Sequence, residues 1–278
     1  MNKWILGARP RTLPAAITPV VVAVGVAHPK FDFLNALLSL IVGLALQIAV
    51  NYANDYSDGI KGTDQERIGP TRLVASGLTT AKQVKNAAYV AFAVGAIAGL
   101  ILAMRTSLWL LAIGLAAIIS AWRYTGGKNP YGYRGLGEIF VFIFFGLVAT
   151  LGTFYSQTGQ ITFEATMAAI SNGAVACALL AVNNIRDIEG DSKVGKRTFA
   201  VRLGDYRARQ FYSLLIFISV LSAFTVSMLS VLAMFPALKL FVDIKLKKGR
   251  ELIQVLGATG KFQLILGALL TVGAILNF

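Results

Sequence analysis

The sequence contains one cysteine and one histidine in 278 residues. A single thiol, Cys177, excludes a disulfide framework and a metal site built from cysteines. The lone His28 lies in a short turn beside Pro29 and faces away from the acidic clusters described below. We therefore expect no role for it in proton transfer or metal binding, and the chemistry must rest on other side chains.

Charged residues are also scarce, at 14% of the chain, whereas 56% of the residues are hydrophobic and the mean hydropathy is +0.68. These values exclude a soluble domain and are typical of a polytopic membrane protein. Backbone in lipid must be helical or part of a closed barrel, and the apolar runs lack the polar–apolar alternation of barrel strands. We therefore predict an all-α transmembrane helical bundle. Runs of the length that a bilayer crossing requires, about 17–25 residues, lie near 13–27, 33–53, 85–104, 108–124, 139–155, 163–182, 211–238 and 264–278.

Acidic residues are half as numerous as basic ones, 13 against 26. When the crossings are counted from the N-terminus, 24 of the 26 Lys and Arg fall on one side, and only Lys30 and Arg105 fall on the other. This is the positive-inside pattern, which predicts a multi-pass protein of the cell inner (plasma) membrane with its N-terminus facing the cytoplasm. Because orientation explains the basic charge, we expect no nucleic-acid partner.

The number of crossings depends on residues 210–238. The segments on either side, 186–209 and 239–261, are both basic, so an even number of crossings should separate them, yet only 29 residues are available. We predict a short hairpin here, which gives nine helices in two four-helix halves plus one. The N-terminus has the charge and apolar run of a signal peptide. However, Pro14 and Pro19 interrupt the run and further crossings follow, so we predict a retained first helix.

Two acidic clusters lie at the cytoplasmic ends of the runs 33–53 and 163–182. Carboxylates at the edge of a hydrocarbon layer are costly, about 2.5–3.5 kcal/mol each at a helix centre, and normally mark a functional site. Carboxylate and amide oxygens without soft ligands suit Mg²⁺, which usually also binds phosphate oxygens of a substrate. We predict one shared Mg²⁺ site with the candidate ligands Asn54, Asp55, Asp58, Asp64, Asn183, Asp187 and Asp191.

The two clusters also repeat a spacing. Asn54 and Asp58 match Asn183 and Asp187, an N-x-x-x-D pattern displaced by 129 residues. The repeat indicates a single domain over 1–278 with an internal duplication, at about 1–134 and 135–261.

Basic side chains near both clusters can bind a phosphate group. Arginine offers two parallel donors to phosphate and lysine a mobile point charge, although each of these residues could instead contact only the bilayer surface. The candidates for substrate binding are Arg11, Arg67, Arg72, Lys128, Lys193 and Arg197.

Three motifs resemble those of one membrane-enzyme family. They are N-D-x-x-D at 54–58, D-x-x-x-D at 187–191 and Y-x-x-x-K at 124–128. Together they make the chain similar to the UbiA superfamily of intramembrane aromatic prenyltransferases. The segments 67–77 and 124–138 resemble the branch that uses 1,4-dihydroxy-2-naphthoate. One departure is that the superfamily commonly places a third aspartate at position 62, which is glycine here, whereas this chain has Asp64.

The resemblance implies nine helices and Mg²⁺-dependent transfer of a polyprenyl group from polyprenyl diphosphate to an aromatic acceptor. For the naphthoate branch, CO₂ and diphosphate are lost in menaquinone biosynthesis. It implies catalytic roles for Asp58, Asp191, Lys128 and Tyr124. An allylic cation needs an electron-rich wall, since a ring face attracts a cation by about 0.5–2 kcal/mol. The candidates for that wall are Tyr124, Tyr131, Tyr133, Phe140, Phe144 and Phe145.

Other readings stay open at this point. 4-Hydroxybenzoate or homogentisate could be the acceptor, and Arg9 or Arg11 could bind an anionic acceptor or only the membrane surface. A secondary transporter would also have intramembrane acids and broken helices. A CDP-alcohol phosphotransferase shares the start D-x-x-D-G at 55–59, but the rest of that pattern fails. The isoprenoid chain length and the oligomeric state are not indicated by any residue.

Overall fold

The structure is a computed structural model that describes residues 2–63 and 71–277. The predicted site residues Asp64 and Arg67 therefore lie outside the described residues. The longer helices in the described part of the chain are labelled here in chain order. They are α1 (Pro14–Val26), α2 (Phe33–Lys61), α3 (Ala81–Arg105), α4 (Trp109–Arg123), α5 (Gly137–Thr158), α6 (Phe163–Arg186), α7 (Asp205–Phe224), α8 (Met234–Leu246) and α9 (Leu252–Leu276).

The predicted all-α membrane bundle is confirmed. Within the described ranges the secondary structure is helical and no strand occurs. Five helices are long and apolar enough to cross a membrane, namely α2, α3, α5, α6 and the helical stretch 249–276 that contains α9. The helices α1 and α4 are shorter but also apolar. The protein is a multi-pass membrane protein, whereas nine membrane crossings remain a prediction.

The segment between the two basic regions does fold as two helices. The helix α7 ends at Phe224, and α8 follows after the 3-10 turn Met228–Ala233. Both helices extend beyond the apolar run into charged residues, so each is longer than the 29-residue count suggested. The last helix was predicted to begin at residue 264 but begins at Leu252. That boundary was wrong because Lys261 was taken as the end of a loop, whereas it is exposed on the helix surface, where a lysine can direct its ammonium towards water.

Helix α6 is the most enclosed of the long helices, and most of its residues are buried. Its sequence is rich in Ala and also contains Ser171 and Gly173, and small residues let neighbouring helices approach closely in a membrane. The closest approach is to α5, where a Cβ atom on Gly146 would lie only 2.5 Å from the Cα atom of Gly173. Gly146 belongs to a π-helical segment of α5, Phe142–Val148. These contacts hold the middle of α5 against the middle of α6.

Candidate active site

The first acidic cluster lies on the last turns of α2. The helix continues through Asp55 and Asp58 to Lys61 and ends where Gly62 adopts a left-handed conformation with a φ of 70°. Both carboxylates of the first cluster, Asp55 and Asp58, therefore lie on one helix. Asp58 is 3% exposed, so its charge requires compensation from neighbouring groups.

Two loops supply that compensation. The Tyr133 hydroxyl, from the loop between α4 and α5, donates a hydrogen bond of 2.6 Å to Oδ1 of Asp58. Lys196, from the chain that follows the second cluster, places Nζ 3.5 Å from Oδ2 of Asp58. The backbone N–H of Arg197 donates to the carbonyl of Tyr133 at 2.8 Å and joins the two loops. The end of α2 and the chain after α6 thus meet at Asp58, whereas one metal site shared by the two acidic clusters remains a prediction.

Two lysines also contact the aromatic ring of Tyr133. Nζ of Lys196 lies 4.6 Å from the ring centroid, and Nζ of Lys61 lies 4.9 Å from it. Lys61 also donates a hydrogen bond of 2.6 Å to the carbonyl of Thr125. Tyr133 therefore connects one acidic and two basic side chains, a role that a sequence pattern of aromatic residues does not reveal.

Asp55 has a structural contact in addition to its predicted metal role. Its two carboxylate oxygens accept hydrogen bonds from the backbone N–H groups of Leu73 and Val74, at 2.8 and 3.1 Å. These bonds fasten the chain that follows α2 onto the helix. Asn54 accepts a hydrogen bond of 2.8 Å from the Thr125 hydroxyl, which fastens the end of α2 to the α4–α5 loop.

The second cluster departs from a continuous helix. The helix α6 ends at Arg186, and Asp191 lies on a separate short helix, Ile188–Lys193. Both oxygens of the buried Asp187 accept hydrogen bonds of 2.7 Å from the Arg186 guanidinium. The N–H of Asp191 donates to the carbonyl of Asp187 at 2.8 Å, which keeps the two acids one turn apart. Asn183 donates a hydrogen bond of 3.0 Å to the carbonyl of Leu179, and its amide oxygen remains a predicted ligand.

A basic groove of about 310 Å³ lies beside Tyr133. Its charged lining residues, Lys128, Arg134, Arg197 and Arg202, are all cationic. Gly135, with a φ of 72°, lies at its edge, where a Cβ atom would lie 3.0 Å from Nε of Arg202. The groove is a suitable site for an anion such as diphosphate.

Aromatic rings form a row from the α4–α5 loop into α5. The ring centroids of Tyr124 and Tyr131 lie 5.5 Å apart, those of Tyr131 and Phe140 4.0 Å apart, and those of Phe140 and Phe144 6.2 Å apart. Burial raises the pKa of the Tyr131 phenol, which stays neutral. Four of the six predicted wall residues are therefore brought together in one row, whereas Tyr133 faces Asp58.

The other described residues that are predicted to bind substrate do not line the basic groove. Arg72 is buried on the chain that Asp55 fastens, whereas Lys193 and Arg11 are exposed. Arg9 is partly buried in a left-handed conformation with a φ of 52°.

Sequence reasoning missed Arg186 as the partner of Asp187, and it assigned no role to Glu138. A buried acid on the first turn of an apolar helix was the available signal for Glu138.

The donor set fits Mg²⁺ in its chemistry. The described residues contain no group of three or more His, Cys, Asp or Glu side chains at metal-binding spacing. Mg²⁺, however, usually takes only one or two protein carboxylates and completes its shell with waters and substrate phosphates. Asp58 and Asp191, with the amide oxygens of Asn54 and Asn183 nearby in sequence, offer only oxygen donors. The metal ligands remain a prediction.

Comparison with known proteins identifies the family that this chain matches. The UbiA prenyltransferase family matches residues 16–249. A 1,4-dihydroxy-2-naphthoate octaprenyltransferase of Mycobacterium tuberculosis is 46% identical, over 98% of this chain and 96% of that protein. The enzyme of the same name from Escherichia coli is 38% identical, over 77% of this chain and 72% of that protein.

A solved structure shares the fold. It is a UbiA homologue from Archaeoglobus fulgidus bound to GPP and Mg²⁺, with a TM-score of 0.73 at 17% identity, and the match covers 99% of both chains. The family match spans most of the chain, and the relatives extend it over nearly the whole length. This chain therefore belongs to the UbiA prenyltransferase family.

Proposed function

We propose that this protein transfers a polyprenyl group from polyprenyl diphosphate to 1,4-dihydroxy-2-naphthoate, with loss of diphosphate and CO₂, in menaquinone biosynthesis. The observation that carries the proposal is the junction at Asp58, where Tyr133 and Lys196, from the loops after α4 and α6, meet the first acidic cluster beside a groove lined by cations. The names of the relatives from M. tuberculosis and E. coli support the acceptor. The reaction is proposed to take place at the cytoplasmic face of the plasma membrane.

The diphosphate would lie between the acidic clusters and the basic groove. Asn54, Asp58, Asp187 and Asp191 would hold Mg²⁺, and bound Mg²⁺ would neutralise the charge that develops on the leaving diphosphate. The side chains of Lys128 and Arg197 line the groove and would bind the phosphate oxygens. Such charge stabilisation is usually the largest single contribution to a reaction of this type.

The row of aromatic rings would bind the prenyl part of the donor, next to its diphosphate. When the bond between carbon and diphosphate breaks, the electron pair leaves with diphosphate and the allylic carbon becomes cationic. Tyr124, Tyr131 and Phe140 belong to this row, and their rings would attract such a cation. A ring carbon of the acceptor supplies the electron pair for the new carbon–carbon bond and loses its proton, which restores the aromatic ring, and a proton replaces the carboxylate when it leaves as CO₂.

Arg9 and Arg11 are the candidates for binding the acceptor carboxylate. The backbone around them is fixed by α2, because Asn51 donates to the carbonyl of Ala8 at 2.9 Å and Gln47 donates to the Thr12 hydroxyl at 2.9 Å. Arg9 is partly buried, with one guanidinium nitrogen unpartnered within the described residues, whereas Arg11 is exposed. This difference supports Arg9 ahead of Arg11.

A product assay on purified, detergent-solubilised protein tests the proposal. It supplies polyprenyl diphosphate, one of two acceptors (1,4-dihydroxy-2-naphthoate or 4-hydroxybenzoate), and Mg²⁺ with or without EDTA. We expect a decarboxylated naphthoquinol product that requires Mg²⁺. The variants Asp58→Ala and Asp191→Ala should abolish turnover while the protein remains folded and inserted. Product from 4-hydroxybenzoate alone would overturn the acceptor, and wild-type rates in both variants would overturn the site.

A further inference from the structure

Glu138 is a buried acid that the proposed reaction does not yet use. It lies on the first turn of α5 and is 7% exposed. Ionisable side chains buried within a membrane span are costly, and they usually serve a substrate, ion or proton. The residue therefore requires a partner.

The contacts of Glu138 leave one oxygen available. Its Oε1 accepts a hydrogen bond of 2.9 Å from Nδ2 of Asn184 on α6. Its backbone carbonyl accepts a contact of 3.1 Å from the Cys177 thiol. The second carboxyl oxygen, Oε2, is buried and has no hydrogen-bond partner within the described part of the chain. A buried oxygen without a donor is unfavourable, so the geometry is suited to a donor that arrives with a ligand.

The position of Glu138 connects it to the candidate site on two sides. Asn184, which fixes the carboxylate, lies in the last turn of α6, three residues before Asp187. Gly137, which precedes Glu138, packs on Tyr124, and a Cβ atom there would lie 3.2 Å from Cε2 and 3.5 Å from the hydroxyl of Tyr124. Glu138 thus lies between the second acidic cluster and the aromatic row.

We propose that Oε2 of Glu138 accepts a hydrogen bond from a ring hydroxyl of the aromatic acceptor. The inference rests on the proposed function, because the hydroxyl belongs to that acceptor. A hydroxyl is the donor that fits, since it can pair with a carboxylate and is carried on a flat ring that stacks on the neighbouring aromatic side chains. The bond orients the ring and increases the electron density at its carbons. Glu138 is in this sense a specificity-determining residue for hydroxylated acceptors.

The test combines a variant with an acceptor that lacks the hydroxyl. The rates of the wild-type protein and Glu138→Gln are measured with 1,4-dihydroxy-2-naphthoate and with its 4-deoxy and 1-deoxy analogues. Glu138→Gln should lower kcat/KM for the full acceptor by about 10- to 100-fold, in line with the loss of one hydrogen bond to a charged group. The KM for polyprenyl diphosphate should stay unchanged. Removing the hydroxyl that Glu138 binds should lower kcat/KM of the wild-type protein by a similar factor. The same change should lower kcat/KM of Glu138→Gln only slightly, because that variant has already lost the hydrogen bond.

Matched variants separate this role from a structural one. Glu164→Gln makes the same change at an exposed acid on the first turn of α6 and should leave every rate unchanged. Glu138→Asp keeps the carboxylate and should recover part of the rate. Thermal unfolding identifies any variant that fails to fold.

Four outcomes bear on the inference. Additive effects of the variant and both hydroxyl deletions would show that Glu138 acts only on the fold, and would overturn it. A rate unchanged in a folded Glu138→Gln protein would overturn it as well, while leaving the proposed function intact. A wild-type protein that is inactive with the naphthoate but active with 4-hydroxybenzoate would overturn the acceptor, and the same comparison is then made with 4-hydroxybenzoate and benzoate. Inactivity with every acceptor would overturn both proposals.

Discussion

At the scale of single residues, the charge of Asp58 is compensated from within the protein. Tyr133 and Lys196 occupy its two oxygens, and both Asp58 and Lys196 are buried, with side-chain exposures of 4% and 8%. A buried carboxylate that binds Mg²⁺ must exchange such partners for the metal. With Asp58 as the proposed Mg²⁺ ligand, Lys196 would compete with the metal for this carboxylate, and its ammonium would become available to diphosphate once Mg²⁺ is bound.

Replacing that lysine should make the protein depend on the metal. Lys196→Met leaves a buried carboxylate without its cation, and breaking a buried pair typically costs about 3–5 kcal/mol. We expect a lower Tm without Mg²⁺ and a larger rise in Tm on adding Mg²⁺ than in the wild-type protein, because a bound ligand stabilises the state that binds it. Thermal unfolding in detergent across a Mg²⁺ titration measures both effects. Lys82→Met, at an exposed position on the first turn of α3, is the control, and equal Mg²⁺ shifts in all three proteins would contradict the expectation.

The residue types of the site are predictable from sequence, but their pairing is not. Acids at the ends of apolar runs are conspicuous because they are costly in a membrane, so Asp58 and Asp191 could be identified. The partner Tyr133 lies 75 residues from Asp58 in the chain, and nothing in its local pattern distinguishes it from the other tyrosines. Glu138 was missed because an acid on the first turn of a helix is also common for stabilising the helix N-terminus.

At the scale of secondary-structure elements, the contact between α5 and α6 depends on two glycines. Gly146 and Gly173 allow the helix backbones to meet, and this contact positions the start of α5, with Glu138, against the second acidic cluster. A methyl group at Gly146 would meet the backbone of α6 rather than a flexible side chain. The helices would have to separate.

Gly146→Ala should therefore destabilise the protein by about 1–3 kcal/mol, the usual cost of an inserted group in a packed interior. Gly152→Ala is the matched control on the same helix, because a Cβ atom there has no neighbour within 4 Å. That control should be neutral, or stabilising by up to about 1 kcal/mol, since alanine favours a helix over glycine. Denaturation followed by the loss of helical circular dichroism measures both variants, and equal stabilities would show that the two helices do not meet at Gly146.

Element boundaries were predicted well where an apolar run begins and poorly where it ends in charged residues. The start of α6 at Phe163, after the capping residue Thr162, was predicted, whereas α2 continues past the predicted end of its run at residue 53 and stops only at Gly62. Lys261 and the charges around residues 205–209 do not interrupt their helices. Hydropathy reports the environment of a side chain, whereas the backbone hydrogen bonds of a helix continue through a charged residue that reaches water.

At the scale of the whole molecule, the distribution of Lys and Arg predicts which side of the membrane holds the site. Cys177 is the only cysteine and is buried, so a single cysteine introduced at the surface can be labelled without interference. Lys30 precedes α2 and Ala75 follows it, and both are exposed. The two positions therefore report on opposite ends of one long helix.

We expect a membrane-impermeant maleimide to label Lys30→Cys in intact cells and to label Ala75→Cys only after the cells are permeabilised. The physical reason is that loops rich in Lys and Arg remain in the cytoplasm. Labelling of permeabilised cells is the control that both thiols react. The reverse pattern in intact cells would place the site on the outer side.

The length of α2 also determines where the reaction products go. The helix has 29 residues and at about 1.5 Å per residue is about 44 Å long, whereas the hydrocarbon layer is about 30 Å thick. Because the polar residues lie at its C-terminal end, we expect its last turns, with Asp58, to lie level with the lipid headgroups rather than in the hydrocarbon layer. The products of a reaction at this depth would separate at once. Diphosphate and CO₂ would diffuse into the aqueous phase, and the quinol, with its long isoprenoid tail, would stay dissolved in the membrane leaflet. The enzyme thus delivers its product directly to the membrane pool in which it is used.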